Sequence, residues 1–311
     1  MTDILFLIVG LLVLIAGGDL LVRGAVAVAE RLGVSPLVIG LTLVGFGTST
    51  PELVASVQAA LAGSPGIAFG NIVGSNIANI LLIVGVSAMI FPVLVTDAAL
   101  KRDGAIMIAV ALLFAAVSSV TDLGRLAGLG FLALLGAYVF LAFRTEGGVA
   151  AAGEAAAPSA APGAPIWRSL LVALGGLALV VGGGYVLVTG AVGLAREFGL
   201  SETVIGLTIV AVGTSMPEFI TSLTAAIKRQ GDVAFGNIVG SNIYNILGIG
   251  GVTALVSPGA VPDQIVGFDN LVMIAASLLL VGLAWTRRRV SRWEGGLLLA
   301  GYVAYLIAIW P

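Results

Sequence analysis

Long apolar segments separated by short polar breaks run through nearly the whole chain. A helix of about 20 apolar residues spans the hydrocarbon core of a bilayer, and the apolar lengths here predict ten such helices. We expect five in each half of the chain, near residues 4–29, 36–60, 67–91, 104–121, 123–143, 167–195, 202–227, 233–256, 268–285 and 294–310.

The second half of the chain repeats the first at a constant offset of 166 residues. The segment AFGNIVGSNI, for example, occurs unchanged at 68–77 and at 234–243. Because each half contributes an odd number of spans, the two halves enter the membrane in opposite senses. We therefore predict an all-α integral membrane fold of two inverted five-helix repeats, 1–143 and 167–311, joined by a flexible linker loop at 144–166.

Basic residues are distributed unequally between the two sides of this topology. Of the 14 Lys and Arg residues, twelve fall on the side of the linker, and only Arg125 and Arg196 fall on the other. Loops rich in Lys and Arg stay in the cytoplasm. The bias predicts a cytoplasmic 144–166 loop and two termini outside the cell.

Composition restricts the chemistry that the chain can perform. The chain is 59% hydrophobic and 10% charged, and it contains neither cysteine nor histidine. Disulfides, thiolate metal sites, imidazole bases and His-ligated zinc are therefore excluded. A site must be built from carboxylate, hydroxyl, amide and carbonyl oxygens, which suit hard cations such as calcium and sodium.

One repeated motif carries a carboxylate into the membrane. It reads GTSTPE at 47–52 and GTSMPE at 213–218, so that Glu52 and Glu218 lie within predicted spans. A charged residue at this depth indicates a functional site. The proline of each motif removes a helix hydrogen bond and frees a carbonyl group.

Other oxygen-bearing side chains accompany the two glutamates at matching positions of the repeats. They are Thr48, Ser49, Ser75 and Asn79 in the first half, and Thr214, Ser215, Ser241 and Asn245 in the second. Two carboxylates match one divalent cation, and a flexible oxygen site suits Ca²⁺ better than Mg²⁺. Releasing that ion without replacement would leave two charges in low dielectric, so exchange for sodium ions or protons is expected.

Two structural alternatives remain open for these residues. The glutamates could be protonated acids that contribute only to packing. The threonine and serine hydroxyls could bond to the preceding turn of their own helices.

The motifs at 47–52 and 213–218, with GNIVGSNIAN at 70–79 and GNIVGSNIYN at 236–245, resemble the sodium/calcium exchanger branch of the calcium/cation antiporter superfamily. The resemblance covers all ten predicted spans. It implies that Ca²⁺ is bound by Thr48, Glu52, Thr214 and Glu218. It implies sodium and flanking positions at Gly45, Ser49, Ser75, Asn79, Ala211, Ser215, Ser241 and Asn245.

The resemblance also carries expectations about the whole protein. It implies alternating access, with the first and sixth spans sliding against the rest, in a prokaryotic cell (inner) membrane. It implies a monomer that transports Ca²⁺ and Na⁺, is not an enzyme, and uses neither a cofactor nor nucleic acid. Members of the family often have Asp where this chain has Asn245. The change argues against potassium co-transport, and it leaves only two acids in the site.

Three other functions remain open from the sequence. A Ca²⁺/H⁺ antiporter could use the same two glutamates as proton carriers. A cation channel is less expected, because channels are usually completed by several subunits. An intramembrane hydrolase with two carboxylates would leave the repeated hydroxyls and amides unexplained.

Overall fold

The structure, a computed structural model, describes residues 2–146, except 34, 62, 64 and 98, together with 165–197 and 211–309. Almost all of this part of the chain is helical. The helices of the first half are α1 (Thr2–Leu32), α2 (Pro36–Thr48), α3 (Thr50–Leu61), α4 (Pro65–Ile90), α5 (Ala99–Val120) and α6 (Arg125–Glu146). Those of the second are α7 (Ile166–Glu197), α8 (Ala211–Thr214), α9 (Met216–Ile227), α10 (Gly231–Val256), α11 (Ile265–Arg287) and α12 (Arg292–Ile309).

These helices make the protein a helical membrane protein. Within the described residues, seven helices are long and apolar enough to cross a bilayer, and the bent pair α2–α3 makes up to eight. The predicted span at 202–227 is described only from 211 onward, and α12 corresponds to the predicted tenth span. Most of the predicted 144–166 linker lies outside the described residues. Ten spans in two inverted repeats therefore remain a prediction.

Several helices contain a wider π-helical turn, and four of these turns form two pairs at the 166-residue offset. A π turn shifts the hydrogen-bond register by one residue and is often found at functional sites. The first pair begins at Asn79 and Asn245, two of the predicted site residues. The five described π turns are Gly40–Val44, Asn79–Val84, Ala99–Gly104, Asn245–Ile249 and Ile265–Asp269.

Helices α4 and α10 form the centre of the molecule. Of their most apolar windows, 78% and 83% of residues are buried, against 28% for α1 and 22% for α6. Both central helices contain the repeated segment AFGNIVGSNI, which offers small or apolar residues on every face. A helix without a polar face is buried by its neighbours, and this burial brings the polar residues of α4 and α10 to the midpoint of the bundle.

Helices α1 and α7 pack closely along their length because glycines face each other. A Cβ atom at Gly24 would lie 2.3 Å from the backbone nitrogen of Ala173, and one at Gly176 would lie 2.3 Å from that of Leu21. Small residues allow membrane helices to approach backbone to backbone. The glycines of these spans therefore serve packing.

Short strands close one end of the bundle. β1 (Val93–Leu94) pairs antiparallel with β2 (Arg289–Val290), which joins the end of α4 to the start of α12. An isolated antiparallel bridge links Leu123 to Gly259. The repeat offset relates these positions to Arg289 and Val93, so the second contact is a counterpart of the first.

An ion-pair cluster ties α1 to the end of α9. The Arg23 side chain lies 2.8 Å from the Asp19 carboxylate, the local pair that the four-residue spacing predicts. The Lys228 ammonium lies 2.5 Å from the other carboxylate oxygen of Asp19. The second contact joins residues far apart in the chain, which a local spacing cannot predict.

Candidate cation-binding site

Each glutamate motif breaks its helix at the serine. Ser49 has φ −81° and ψ 9°, and Ser215 has φ −83° and ψ 4°, so both repeats adopt the same local conformation. The prolines that follow lie in the first turn of α3 and of α9, where an N–H group has no partner within the helix. Helices α2 and α3 meet at an angle of 41°. The break thus brings Ser49 and Ser215 beside the start of a new helix that carries the glutamate.

The two motifs are connected to each other by reciprocal hydrogen bonds. The Ser49 hydroxyl donates to Oε1 of Glu218 at 2.6 Å, and the Ser215 hydroxyl donates to Oε1 of Glu52 at 3.0 Å. Each serine therefore binds the glutamate of the other repeat. The four side chains are at most 2% exposed, so both carboxylates are removed from solvent.

We call the group of buried polar residues around Glu52 and Glu218 the centre. Four oxygens of the centre have no hydrogen-bond partner among the described residues. They belong to two repeat-related pairs, the Oε2 atoms of Glu52 and Glu218 and the Oδ1 atoms of Asn79 and Asn245. A buried polar atom without a partner costs free energy. Carboxylate and amide oxygens are ligands of Ca²⁺ and Na⁺, so a bound cation would satisfy them.

Each central helix contributes one serine to this centre, Ser241 from α10 and Ser75 from α4. Ser241 donates to the Gly45 carbonyl at 3.0 Å, and its hydroxyl lies 3.4 Å from Oε1 of Glu218. Ser75 lies 3.5 Å from the Ser215 hydroxyl. Gly45 is thus linked to Glu218 through Ser241, and Ser75 is linked to Glu52 through Ser215.

Thr48 and Thr214, the two predicted threonine ligands, are buried to different degrees, and Ala211 begins the helix that ends at Thr214. Thr48 is buried, and its hydroxyl lies 3.3 Å from the Gly45 carbonyl and 3.1 Å from Oδ1 of Asn237. The first contact is the bond to the preceding turn that the sequence leaves open. Thr214 is half-buried at the end of α8, and Ala211 is the first residue of that helix.

Two asparagines that the sequence analysis did not single out bind the backbone carbonyls of the two glutamates. Asn71 donates to the backbone carbonyl of Glu52, and Asn237 donates to that of Glu218, both at 3.2 Å. The same amide groups also donate to the serine four residues after each glutamate, at 2.9 Å and 2.7 Å. Both asparagines belong to the segment that the two repeats share unchanged, which is the signal that identifies them.

A pocket of about 200 Å³ reaches this centre at Ser215. Its other walls are apolar side chains of α4, α8 and α9. The lining residues are Ala78, Leu82, Ile83, Val212, Ser215, Met216 and Phe219.

The repeat-related position is filled by two aromatic rings. Tyr244 and Phe46, the counterparts of Ala78 and Val212, stack with their ring centroids 4.6 Å apart. Gly248, the counterpart of Leu82, leaves room for them, because a Cβ atom there would lie 2.6 Å from the Tyr244 ring. The two sides of the centre are therefore different: one has a pocket and the other has an aromatic stack.

Comparison with known proteins identifies the family. The sequence model for the family described as "Sodium/calcium exchanger protein" matches residues 2–144 and 168–310. The chain belongs to the sodium/calcium exchanger family. It is therefore an integral membrane transporter of the calcium/cation antiporter superfamily, of the prokaryotic type.

Individual relatives of this exchanger-family chain match along its full length. The CaxA protein of Alkalimonas amylolytica is 40% identical over 97% of this chain and 96% of its own. The "Sodium/calcium exchanger MaX1" of Methanosarcina acetivorans is 36% identical over 99% and 98%. The structure of the sodium-calcium exchanger NCX_Mj soaked with 2.5 mM Na⁺ and 0.1 mM Ca²⁺ matches with a TM-score of 0.86 and 31% identity, covering 100% of this chain and 99% of that one.

Proposed function

We propose that this protein exchanges Ca²⁺ for Na⁺ across the prokaryotic inner membrane. Ten spans in two inverted repeats, 1–143 and 167–311, would hold the cation at the midplane between them, with the 144–166 loop in the cytoplasm. The protein would act as a monomer. The observation that carries the proposal is the reciprocal pairing of Ser49 with Glu218 and of Ser215 with Glu52, which leaves one oxygen of each carboxylate without a hydrogen-bond partner among the described residues.

The charge of the centre supports cations as the transported species. Among the described residues, Glu52 and Glu218 are its only acids, and no cationic side chain forms an ion pair with either of them. Two buried carboxylates repel each other unless positive charge lies between them. One Ca²⁺ or two Na⁺ would neutralise the pair, so the two cargoes would compete for the same oxygens.

The serine hydroxyls could bind the cation both when the centre holds Ca²⁺ and when it holds Na⁺. While Ser49 or Ser215 donates its hydrogen to a carboxylate, its lone pairs remain available to a cation. The Gly45 carbonyl has a second lone pair beside the bond from Ser241. Hydroxyls, carbonyls and amide oxygens would thus add neutral ligands to the two charged ones and approach the six to eight oxygens that Ca²⁺ prefers.

The unequal sides of the centre support alternating access. In the proposed topology, Leu82 and Phe219 would lie on the cytoplasmic side of Ser215, and Tyr244 would lie on the outer side of Ser241. The pocket would therefore be nearer the cytoplasm and the aromatic stack nearer the outside. Inverted repeats reach two opposite-facing states by exchanging the conformations of their halves. The glycine-lined contact of α1 with α7 would hold these two helices together as the pair that slides against the rest of the protein.

A Ca²⁺/H⁺ antiporter is the second candidate. The observation that favours it is Asn245, a neutral residue whose amide has no partner among the described residues. Without a third acid, protonation of Glu52 and Glu218 alone would neutralise the centre. In that case the same glutamates would carry protons in place of sodium.

Calcium flux in proteoliposomes separates the two candidates. A sodium gradient and a pH gradient are imposed separately on vesicles that contain the purified protein. We expect the sodium gradient alone to drive Ca²⁺ uptake. Uptake driven only by the pH gradient would replace the proposal with the proton-coupled mechanism.

A further inference from the structure

Three arginines converge on one short segment at the end of α4. Arg229 lies over the ring of Phe91, with its guanidinium carbon 5.8 Å from the ring centroid. Arg292 donates to the Ile90 carbonyl at 3.4 Å, and Arg289 pairs with Leu94 across the β1–β2 ladder. We call Arg229, Arg289 and Arg292 the arginine surface.

No ion pair neutralises the charge of this surface in the part of the chain that the structure describes. Its three side chains are exposed, and none of them forms an ion pair with a carboxylate among the described residues. The nearby Asp97 is already engaged by Lys101 and Arg288. The surface therefore presents three positive charges that have no carboxylate partner among the described residues.

The backbone at Arg229 indicates that this side chain has a role. Arg229 has φ 60° and follows the last turn of α9, where its N–H group bonds to the Ala226 carbonyl and that of Gln230 bonds to the Ala225 carbonyl. This left-handed position normally holds glycine, because other residues are strained there. The first repeat does hold glycine at the equivalent position, Gly63, with φ 74°. An arginine is thus held in the second repeat where glycine would fold more easily.

Three exposed apolar residues adjoin the arginine surface, because the Ile90 carbonyl accepts from Arg292, Leu94 pairs with Arg289, and Trp293 follows Arg292. Ile90 is 48% exposed, Leu94 51% and Trp293 65%. Exposed aromatic and aliphatic residues beside arginines are typical of the boundary between acyl chains and headgroups. The combination matches a molecule with an anionic head and apolar tails.

From this juxtaposition we infer that the arginine surface binds the phosphate of an anionic phospholipid of the cytoplasmic leaflet. The three guanidinium groups bind the phosphate oxygens, and the acyl chains lie against Ile90, Leu94 and Trp293. The bound lipid connects the C-terminal end of α9 to the start of α12. Glu218 lies in the first turn of the same helix α9.

Native mass spectrometry of the detergent-released protein tests this site. The probes are dioctanoyl phosphatidylglycerol, dioctanoyl phosphatidylcholine and glycerol 3-phosphate. We expect one tight phosphatidylglycerol site, weakened about fivefold for each arginine changed to glutamine, since each basic residue near a membrane surface contributes about that factor. The matched control removes the same charge from the same side through Arg23→Gln, Arg144→Gln and Arg168→Gln, and it should retain the site.

Arg229→Gly distinguishes lost binding from lost folding. Glycine adopts the left-handed conformation without strain, so the melting temperature should stay the same or rise while phosphatidylglycerol affinity falls about fivefold. Unchanged affinity in this variant would overturn the inference. Equal losses in the control variant, equally tight phosphatidylcholine, or equally strong competition by glycerol 3-phosphate would overturn it too.

Discussion

The Ser49 hydroxyl donates a 2.6 Å hydrogen bond to Oε1 of Glu218, a residue 169 positions further along the chain. The reverse contact, from Ser215 to Glu52, is its counterpart in the other repeat. Each half of the chain therefore hydrogen-bonds the acid of the other half, so neither half alone contains both members of either pair.

Removing either serine hydroxyl should weaken sodium binding. Ser49→Ala and Ser215→Ala each remove a hydrogen bond to a charged group, which contributes roughly 1.5–3 kcal/mol. We expect the half-saturating sodium concentration for Ca²⁺ exchange to rise at least about tenfold. Ser87→Ala is the control, because Ser87 is buried and its hydroxyl has no partner among the described residues. A wild-type sodium dependence in Ser49→Ala would contradict the proposed role.

Asn237 should hold the backbone of Glu218 in place. Asn237→Ala would leave the Glu218 carbonyl and the Thr48 hydroxyl without this partner, at a cost of about 1–3 kcal/mol for each buried group. We expect a lower melting temperature together with weaker Ca²⁺ binding. Asn237→Asp keeps the acceptor for Thr48 but removes the donor to the Glu218 carbonyl. Its melting temperature and Ca²⁺ affinity should therefore lie between those of wild type and Asn237→Ala.

Asn76→Ala provides the matched control for this prediction. Asn76 lies in the same repeated segment but donates to the Ile72 carbonyl of its own helix, at 2.7 Å. It should leave Ca²⁺ affinity unchanged. Equal losses of affinity in the Asn76 and Asn237 variants would show that the whole segment, and not the contact to Glu218, matters.

The adjacent glycines Gly175 and Gly176 separate helix packing from helix flexibility. A Cβ atom at Gly176 would meet the Leu21 backbone at 2.3 Å, whereas one at Gly175 would have no neighbour within 4 Å in the described structure. Gly176→Ala should force α7 away from α1 and destabilise the protein by roughly 1–3 kcal/mol. Gly175→Ala should leave the melting temperature unchanged. If both variants were equally stable, close packing of α1 on α7 would not depend on Gly176.

The stack of Tyr244 on Phe46 should close the outer side of the centre. Leu53 is the counterpart of Phe219, which lines the pocket on the other side of the centre. Because the chain has no cysteine, a single Leu53→Cys substitution can be labelled alone with a membrane-impermeant maleimide. Adding Tyr244→Ala should speed labelling from outside about threefold to tenfold, as expected from the ~0.5–1.5 kcal/mol of an aromatic pair. Tyr244→Phe keeps the ring and should not change the rate. Equal labelling rates in all three proteins would contradict a closing role.

Much of the architecture could be predicted from the chain because repetition and hydropathy are properties of the sequence itself. The helices corresponding to the predicted spans at 104–121 and 123–143 are separate, although only Thr121 and Asp122 interrupt the apolar pattern. The motif also predicted that Glu52 and Glu218 would be buried with serines nearby. Their depth follows from the length of the surrounding apolar segments.

Contacts between distant segments could not be predicted in the same way. The bond from Asn237 to Glu218 and the contact of Lys228 with Asp19 depend on how helices cross, and periodicity along one helix does not encode this. Asn71 and Asn237 read as part of a repeated apolar span. Tyr244 differs from its counterpart Ala78, but only the packing against Phe46 reveals what the difference does.

Calcium binding to the purified protein tests the central proposal most directly. Wild type, Glu52→Gln and Glu218→Gln are titrated with Ca²⁺ by calorimetry, with and without Na⁺, after melting temperatures confirm that all three are folded. We expect wild type to bind Ca²⁺ and to release it as Na⁺ is added. Each variant, having lost half the charge of the centre, should bind Ca²⁺ at least about a hundredfold more weakly, corresponding to roughly 2.7 kcal/mol. Wild-type Ca²⁺ affinity with unchanged sodium competition in either variant would contradict the account.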